Sequence, residues 1–180
     1  MAQKYYHAPL MSGQTVIDSL EFARAAQELR GSVPVARLAR LQDCLFDAVG
    51  EVHFAVRGGY DGERRPTLQV EIRGVLHVRC QRCLSALEYP LRLSSRLLLL
   101  GEGENWGAEA DDPEAADCID ASPEMDVVAL IEDEIVLSLP FAPRHTEDRC
   151  QGVLDRHERE VKKPSAFAKL AVLKNPGQRQ

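Results

Sequence analysis

No apolar run in this chain approaches the roughly 20 residues that a helix needs to span a bilayer. The start, MAQKYYHAPLMSG, has neither the charged-then-apolar layout nor the cleavage site of a signal peptide. These two absences exclude a helical membrane protein and lead to the expectation of a cytoplasmic chain with no membrane partner. The sequence also has no GxSxG, no P-loop and no dinucleotide fingerprint, so no recognised catalytic constellation points to an enzyme. Internal repeats and low-complexity tracts are missing too. Basic residues are absent from 101 to 143, where 13 acids stand without a single Lys or Arg.

What remains is a chain of 180 residues with 44% hydrophobic content, enough to bury one substantial core. Five cysteines, an odd number without a secretion signal, argue against a disulfide framework and for reduced thiols. Two of them form the CxxC of Cys80-Gln81-Arg82-Cys83. A CxxC can set two thiolates about one metal ion, and His145 with Cys150 offers a second pair, which together make a Cys3His zinc set. Two other readings of the same thiols stay open, simple buried cysteines and redox chemistry. A dithiol oxidoreductase normally places its CxxC at a helix N-terminus, where the thiol pKa falls. Here strand-like sequence continues on both sides. Cys44 and Cys118 have no partner at ligand spacing and read as structural or incidental.

Periodicity predicts an α+β fold, mainly an antiparallel sheet. Asp18 or Ser19 caps a predicted helix with Leu20, Ala23, Ala26 and Leu29 on one side and Gly31 as its stop. From Val52 the period changes to two through Phe54 and Val56, and Arg57 to Gly62 supply turn residues. Leu68, Val70 and Ile72 alternate again, Gly74 reads as a bulge or bend, and Leu76 and Val78 lead to Cys80. Because Leu87, Tyr89, Leu91 and Leu93 resume the alternation, the two cysteines fall at a hairpin connection. An acidic-apolar helix is predicted near 126–138, with Val127, Ile131 and Ile135 as its stripe, ended by Pro140 and Pro143. Glu132, Asp133 and Glu134 splay by about 100° per residue, so they do not converge as ligands and are expected to face water. His53 and His77 fall in strands without a nucleophile nearby. A single domain over 1–143, with an acidic mobile loop near 101–124, is followed by a basic C-terminal extension over 144–180. That extension carries a short docking helix near 165–174 with Phe167, Leu170 and Leu173 on one face.

Net charge is −6, yet it is segregated, since residues 144–180 hold nine bases against five acids. Local basic patches bind phosphate whatever the total charge. Arg73, Arg79, Arg82, Arg92 and Arg96 lie on and beside the predicted strands around the CxxC, and an arginine-lined sheet face suits structured RNA. The alternative is that they pair with carboxylates, the acidic segment among them, which is then expected to compete with RNA for this face. In the tail, Lys163, Pro164, Phe167 and Leu170 mark either self-docking or an element that orders on a partner.

Several of these motifs together resemble one family. Cys80-Gln81-Arg82-Cys83-Leu84, the helix from Met125 into Leu139-Pro140, the Pro143-Arg144-His145 that follows, and Lys163-Pro164-Ser165-Ala166-Phe167-Ala168-Lys169-Leu170 resemble the YceD family, named for accumulation of large-subunit ribosomal RNA. The chain departs from that pattern at Ser165-Ala166, where the family usually has Asn-Pro. The resemblance implies a non-catalytic ribosome biogenesis factor supporting synthesis, processing or stability of 23S ribosomal RNA. Its partners are then the large-subunit rRNA or its precursor, with ribosomal or assembly proteins. An adaptor that binds only proteins is the alternative.

Overall fold

Alternation at period two gives each central strand one apolar side, and a strand of that kind is stable only when the side is covered. The computed structural model describes residues 15–101, 103, 117–146 and 150. In chain order the elements are β1 (Val16–Ile17), α1 (Ser19–Arg24), β2 (Glu28–Pro34), a 3-10 turn (Val35–Arg37), β3 (Glu51–Tyr60), β4 (Pro66–Arg79), β5 (Ala86–Leu100), β6 (Asp117–Asp120), β7 (Met125–Asp126) and α2 (Val127–Ser138). Strands β2 to β6 form one sheet in sequence order, antiparallel except for the parallel pair β5 and β6. Strands β1 and β7 make a second, two-residue pair. The expected α+β class with a mainly antiparallel sheet is the observed one. The predicted helix near 165–174, with Lys163, Pro164, Phe167 and Leu170, lies outside the described residues, as do 102 and 104–116 of the acidic stretch. Later in that stretch, Asp117–Asp120 form β6 rather than loop.

One face of the sheet buries Val52, Phe54 and Val56 of β3, Leu68, Val70, Ile72, Leu76 and Val78 of β4, and Leu91 and Leu97 of β5. Helix α2 packs against β5 and adds Val127, Ile131 and Ile135 to the same core. Burying each isoleucine contributes about 1.5–3 kcal/mol. Asp126 caps α2, its carboxylate accepting from Val128 N–H at 2.8 Å and Ala129 N–H at 3.3 Å.

Several local expectations are corrected. The first helix stops at Arg24, because Ala26 turns to φ +46° and Gln27 N–H bonds back to Phe22 O at 3.1 Å. Leu29 and Gly31 belong instead to β2, which pairs with β3 over seven residues and buries Leu29 and Val33. A complete ladder with a buried side outweighs a helical spacing of four apolar residues. Gly58 is not a turn residue. Strand β3 runs through it to Tyr60, and a Cβ at Gly58 would stand 2.4 Å from Phe22 O, so glycine is what lets α1 lie on the strand. Gly74 is no bulge either, since it pairs in register with Val52 and Leu91, where a Cβ would come within 3.1 Å of Glu51 O.

The acids of α2 divide in a way that the sequence reading missed. Asp133 reaches solvent and pairs with Arg40, but Glu132 and Glu134 are each only 8% exposed. Glu132 accepts from the backbone N–H of Arg40 at 2.6 Å and of Leu41 at 3.3 Å, and Glu134 accepts from Ser95 Oγ. At about 100° per residue, positions 132 and 134 flank the arc set by 127, 131 and 135 on its two sides, so both are drawn under the helix. Val136 and Leu137 occupy the outer side instead.

Candidate metal centre

The β4–β5 ladder closes at Arg79 opposite Ala86, leaving Cys80 to Ser85 as the hairpin connection. The turn is held by Cys80 N–H to Ser85 O at 3.0 Å and Leu84 N–H to Cys80 O at 2.9 Å. Tight turning buries both cysteines while Gln81, Arg82 and Leu84 point outward. After α2, Pro140 and Pro143 prevent a further helical turn. The chain is instead guided to the hairpin, where Gln81 N–H donates to Pro143 O at 2.8 Å. Two residues later His145 reaches the cysteines.

The structure brings together Cys80, Cys83, His145 and Cys150, their ligand atoms all within 4.8 Å of one another. Cys80 Sγ lies 3.8 Å from Cys150 Sγ, and Cys83 Sγ lies 3.4 Å from His145 Nδ1. A tetrahedral zinc with ordinary bond lengths has S···S edges of about 3.8 Å and S···N edges of about 3.6 Å. These two spacings match such edges. His145 Nε2 lies 2.9 Å from Ala86 O. A carbonyl only accepts, so Nε2 carries the proton and Nδ1 presents its lone pair to the cluster, the usual arrangement behind a ligating histidine.

Thiol acidities follow from the turn. Burial opposes ionisation of Cys80, but the N–H groups of Cys83, His145 and Arg82 and the Cys83 thiol together hold its pKa down to about 5. The Ser85 hydroxyl, 3.0 Å away, and the Ser85 N–H lower that of Cys83. His145 is raised, mainly by its contact with Cys80. Cys150 is pushed up to about 11 by burial and by the two neighbouring thiols, because a further thiolate is unfavourable beside them without a cation. Such a set favours a divalent ion that offsets the crowded negative charge. Four protein ligands leave no position for water or substrate, the arrangement of a structural rather than a catalytic site. Cys44 and Cys118 stand apart from the cluster, and none of the five cysteines is in a disulfide.

The five arginines divide between face and tip. Arg73 pairs directly across from Arg92, and Arg96 stands opposite Gln69, so these three and Arg79 share the outer face of β4 and β5. Arg82 is in the turn. The stripe from Gln69 to Arg79 is about 33 Å long. On the same face Arg57 is engaged by Glu28 and Glu71, both at 2.7 Å, and Arg30 by Glu28. Among the described residues none of the five site arginines forms an ion pair. A shallow cavity of about 640 Å³ opens between Arg73 and Arg92. Leu84, Phe141 and Arg144 are exposed, the latter two inside the Leu-Pro-Phe-Ala-Pro-Arg-His segment that leads to His145 of the cluster.

A meandering sheet backed by a short helix, its longest hairpin tied at the tip to a Cys3His cluster, defines a small α+β protein with a candidate structural metal site. Residues 68–174 match the family described as large ribosomal RNA subunit accumulation protein YceD. The chain is also 25% identical over 168 residues to the large ribosomal RNA subunit accumulation protein YceD of Haemophilus influenzae, covering 88% of this chain and 94% of that protein. The protein described here belongs to the YceD family. No solved structure matches it.

Proposed function

We propose that this protein supports the accumulation of large-subunit, 23S ribosomal RNA by binding that RNA or its precursor, without catalysing a reaction. The family supplies the RNA class. The observation that carries direct contact is the cross-strand pair Arg73 and Arg92. Like charges placed directly opposite destabilise a sheet, and here they lack an acidic partner among the described residues. Phosphate oxygens supply the missing counter-charge, with guanidinium forks on the ribose-phosphate chain. Arg79, Arg82 and Arg96 extend the contact along the stripe. Zinc held by Cys80, Cys83, His145 and Cys150 serves as a staple that keeps the hairpin tip in shape. Lys163, Pro164, Phe167 and Leu170 supply a contact for a ribosomal or assembly protein.

Crosslinking the tagged protein in its native cells and sequencing the attached RNA tests this reading, with an Arg73→Glu/Arg92→Glu variant as control. Discrete large-subunit rRNA sites that vanish in the variant are expected. RNA at background, with ribosomal or assembly proteins copurifying, would instead favour the protein adaptor, a reading to which the exposed Val136 and Leu137 of α2 lend support.

A further inference from the structure

Beyond the cluster itself, the hairpin turn and the segment after α2 are joined twice, through Gln81 to Pro143 O and His145 to Ala86 O. Arg79, Arg82, Leu84, Phe141 and Arg144 of these two segments are exposed. Neither 79–87 nor 135–146 contains an acidic residue, and none of the three arginines has an ion pair among the described residues. The Phe141 side chain is fully exposed. Its backbone is nevertheless held between the end of α2, where Leu139 N–H bonds Ile135 O at 3.1 Å, and the Pro143 contact, with prolines at 140 and 143 restricting the turn. Leu84 is 57% exposed at φ +60°, a conformation that glycine adopts more readily than any residue with a Cβ. An aromatic ring and a strained leucine are thus held out to solvent on two joined segments that carry these three arginines and no acid of their own.

The geometry points to a binding site for an unpaired nucleotide of single-stranded RNA at this tip. Phe141 is the stacking surface for the base, Leu84 adds apolar contact at its edge, and Arg82 and Arg144 meet the adjoining phosphates. The inference rests on the RNA-binding reading above and deepens it. Charge along the sheet face attracts any RNA, whereas a stacking ring requires a base that has left the duplex. The tip therefore selects loops, bulges or ends.

Affinities for a short unstructured single-stranded RNA and for a duplex RNA are measured with the full chain, Phe141→Ala, Phe141→Leu, Leu84→Gly and Arg73→Glu/Arg92→Glu. Matching unfolding midpoints certify that the folds are equal. Both Phe141 variants should weaken single-strand binding roughly tenfold, the scale of one lost base stack, and leave duplex binding within about twofold. Leu84→Gly should weaken single-strand binding despite its relaxed backbone. In a Trp106→Phe background, Phe141→Trp should restore affinity, and its fluorescence should be quenched by the single strand. Wild-type affinity in Phe141→Ala or Phe141→Leu, or equal losses on both RNAs, overturns the tip site. If Arg73→Glu/Arg92→Glu still abolishes binding in that case, the RNA-binding reading survives alone. Wild-type protein that binds neither RNA overturns both.

Discussion

At the scale of single residues, Ala26, Arg64 and Leu84 sit on left-handed backbone, and the first and last do so for different reasons. Ala26, at φ +46°, ends α1 and turns the chain into β2. Its side chain is exposed, so nothing offsets the roughly 1–2 kcal/mol that the conformation costs an L-residue. Ala26→Gly should therefore raise stability by a few tenths to about 1 kcal/mol, the upper end limited by the greater freedom of glycine in the unfolded chain. Urea unfolding measures this, and a loss of stability would show that the turn is not strained. Leu84 shares the geometry but lies on the proposed binding tip, where strain accompanies function. That Cys80, Cys83, His145 and Cys150 come together was legible because two short spacings carry their chemistry. Glu132 was not, since its partners are the backbone N–H groups of Arg40 and Leu41, and such groups leave no mark in a sequence.

At the scale of elements, the long strands could be read because alternation survives over β3, β4 and β5, and α2 because an apolar stripe at helical spacing runs up to two prolines. The first helix was overextended because Leu20, Ala23, Ala26 and Leu29 satisfy a helical period while Leu29, Gly31 and Val33 also satisfy a strand. Only pairing with β3 decides between them. The hairpin tip and the segment after α2 form a unit whose acid-base behaviour is checkable. Near neutral pH Cys80, with a pKa of about 5, is already a thiolate, whereas Cys150, near 11, holds its proton. Zinc uptake should therefore expel a proton from Cys150, recorded as acidification in weakly buffered solution. Affinity should climb as pH rises and collapse on acidification, as His145, whose pKa is raised, is protonated and the Cys80 thiolate is lost near pH 5. Uptake without proton release would contradict four-ligand binding.

For the whole molecule, the governing feature is charge segregation along the chain. Six acids stand between 102 and 116, away from the basic stretches that precede and follow them. Replacing them with their neutral amides should tighten RNA binding and flatten its dependence on protein-borne competition, and an unchanged affinity at low salt would discard the competition idea. The order of the large sheet bears on a different matter, the sequence of events during synthesis. Strands β2 to β6 neighbour one another in the order in which they are made. Such a meander needs mostly short loop closures, so the sheet can form early and quickly. Cys150 meets Cys80 across 70 residues, and its arrival is the late step. Metal capture at the proposed site would then act as a latch on the finished chain: a polypeptide released before Cys150 would keep its hairpins but could not lock their tip.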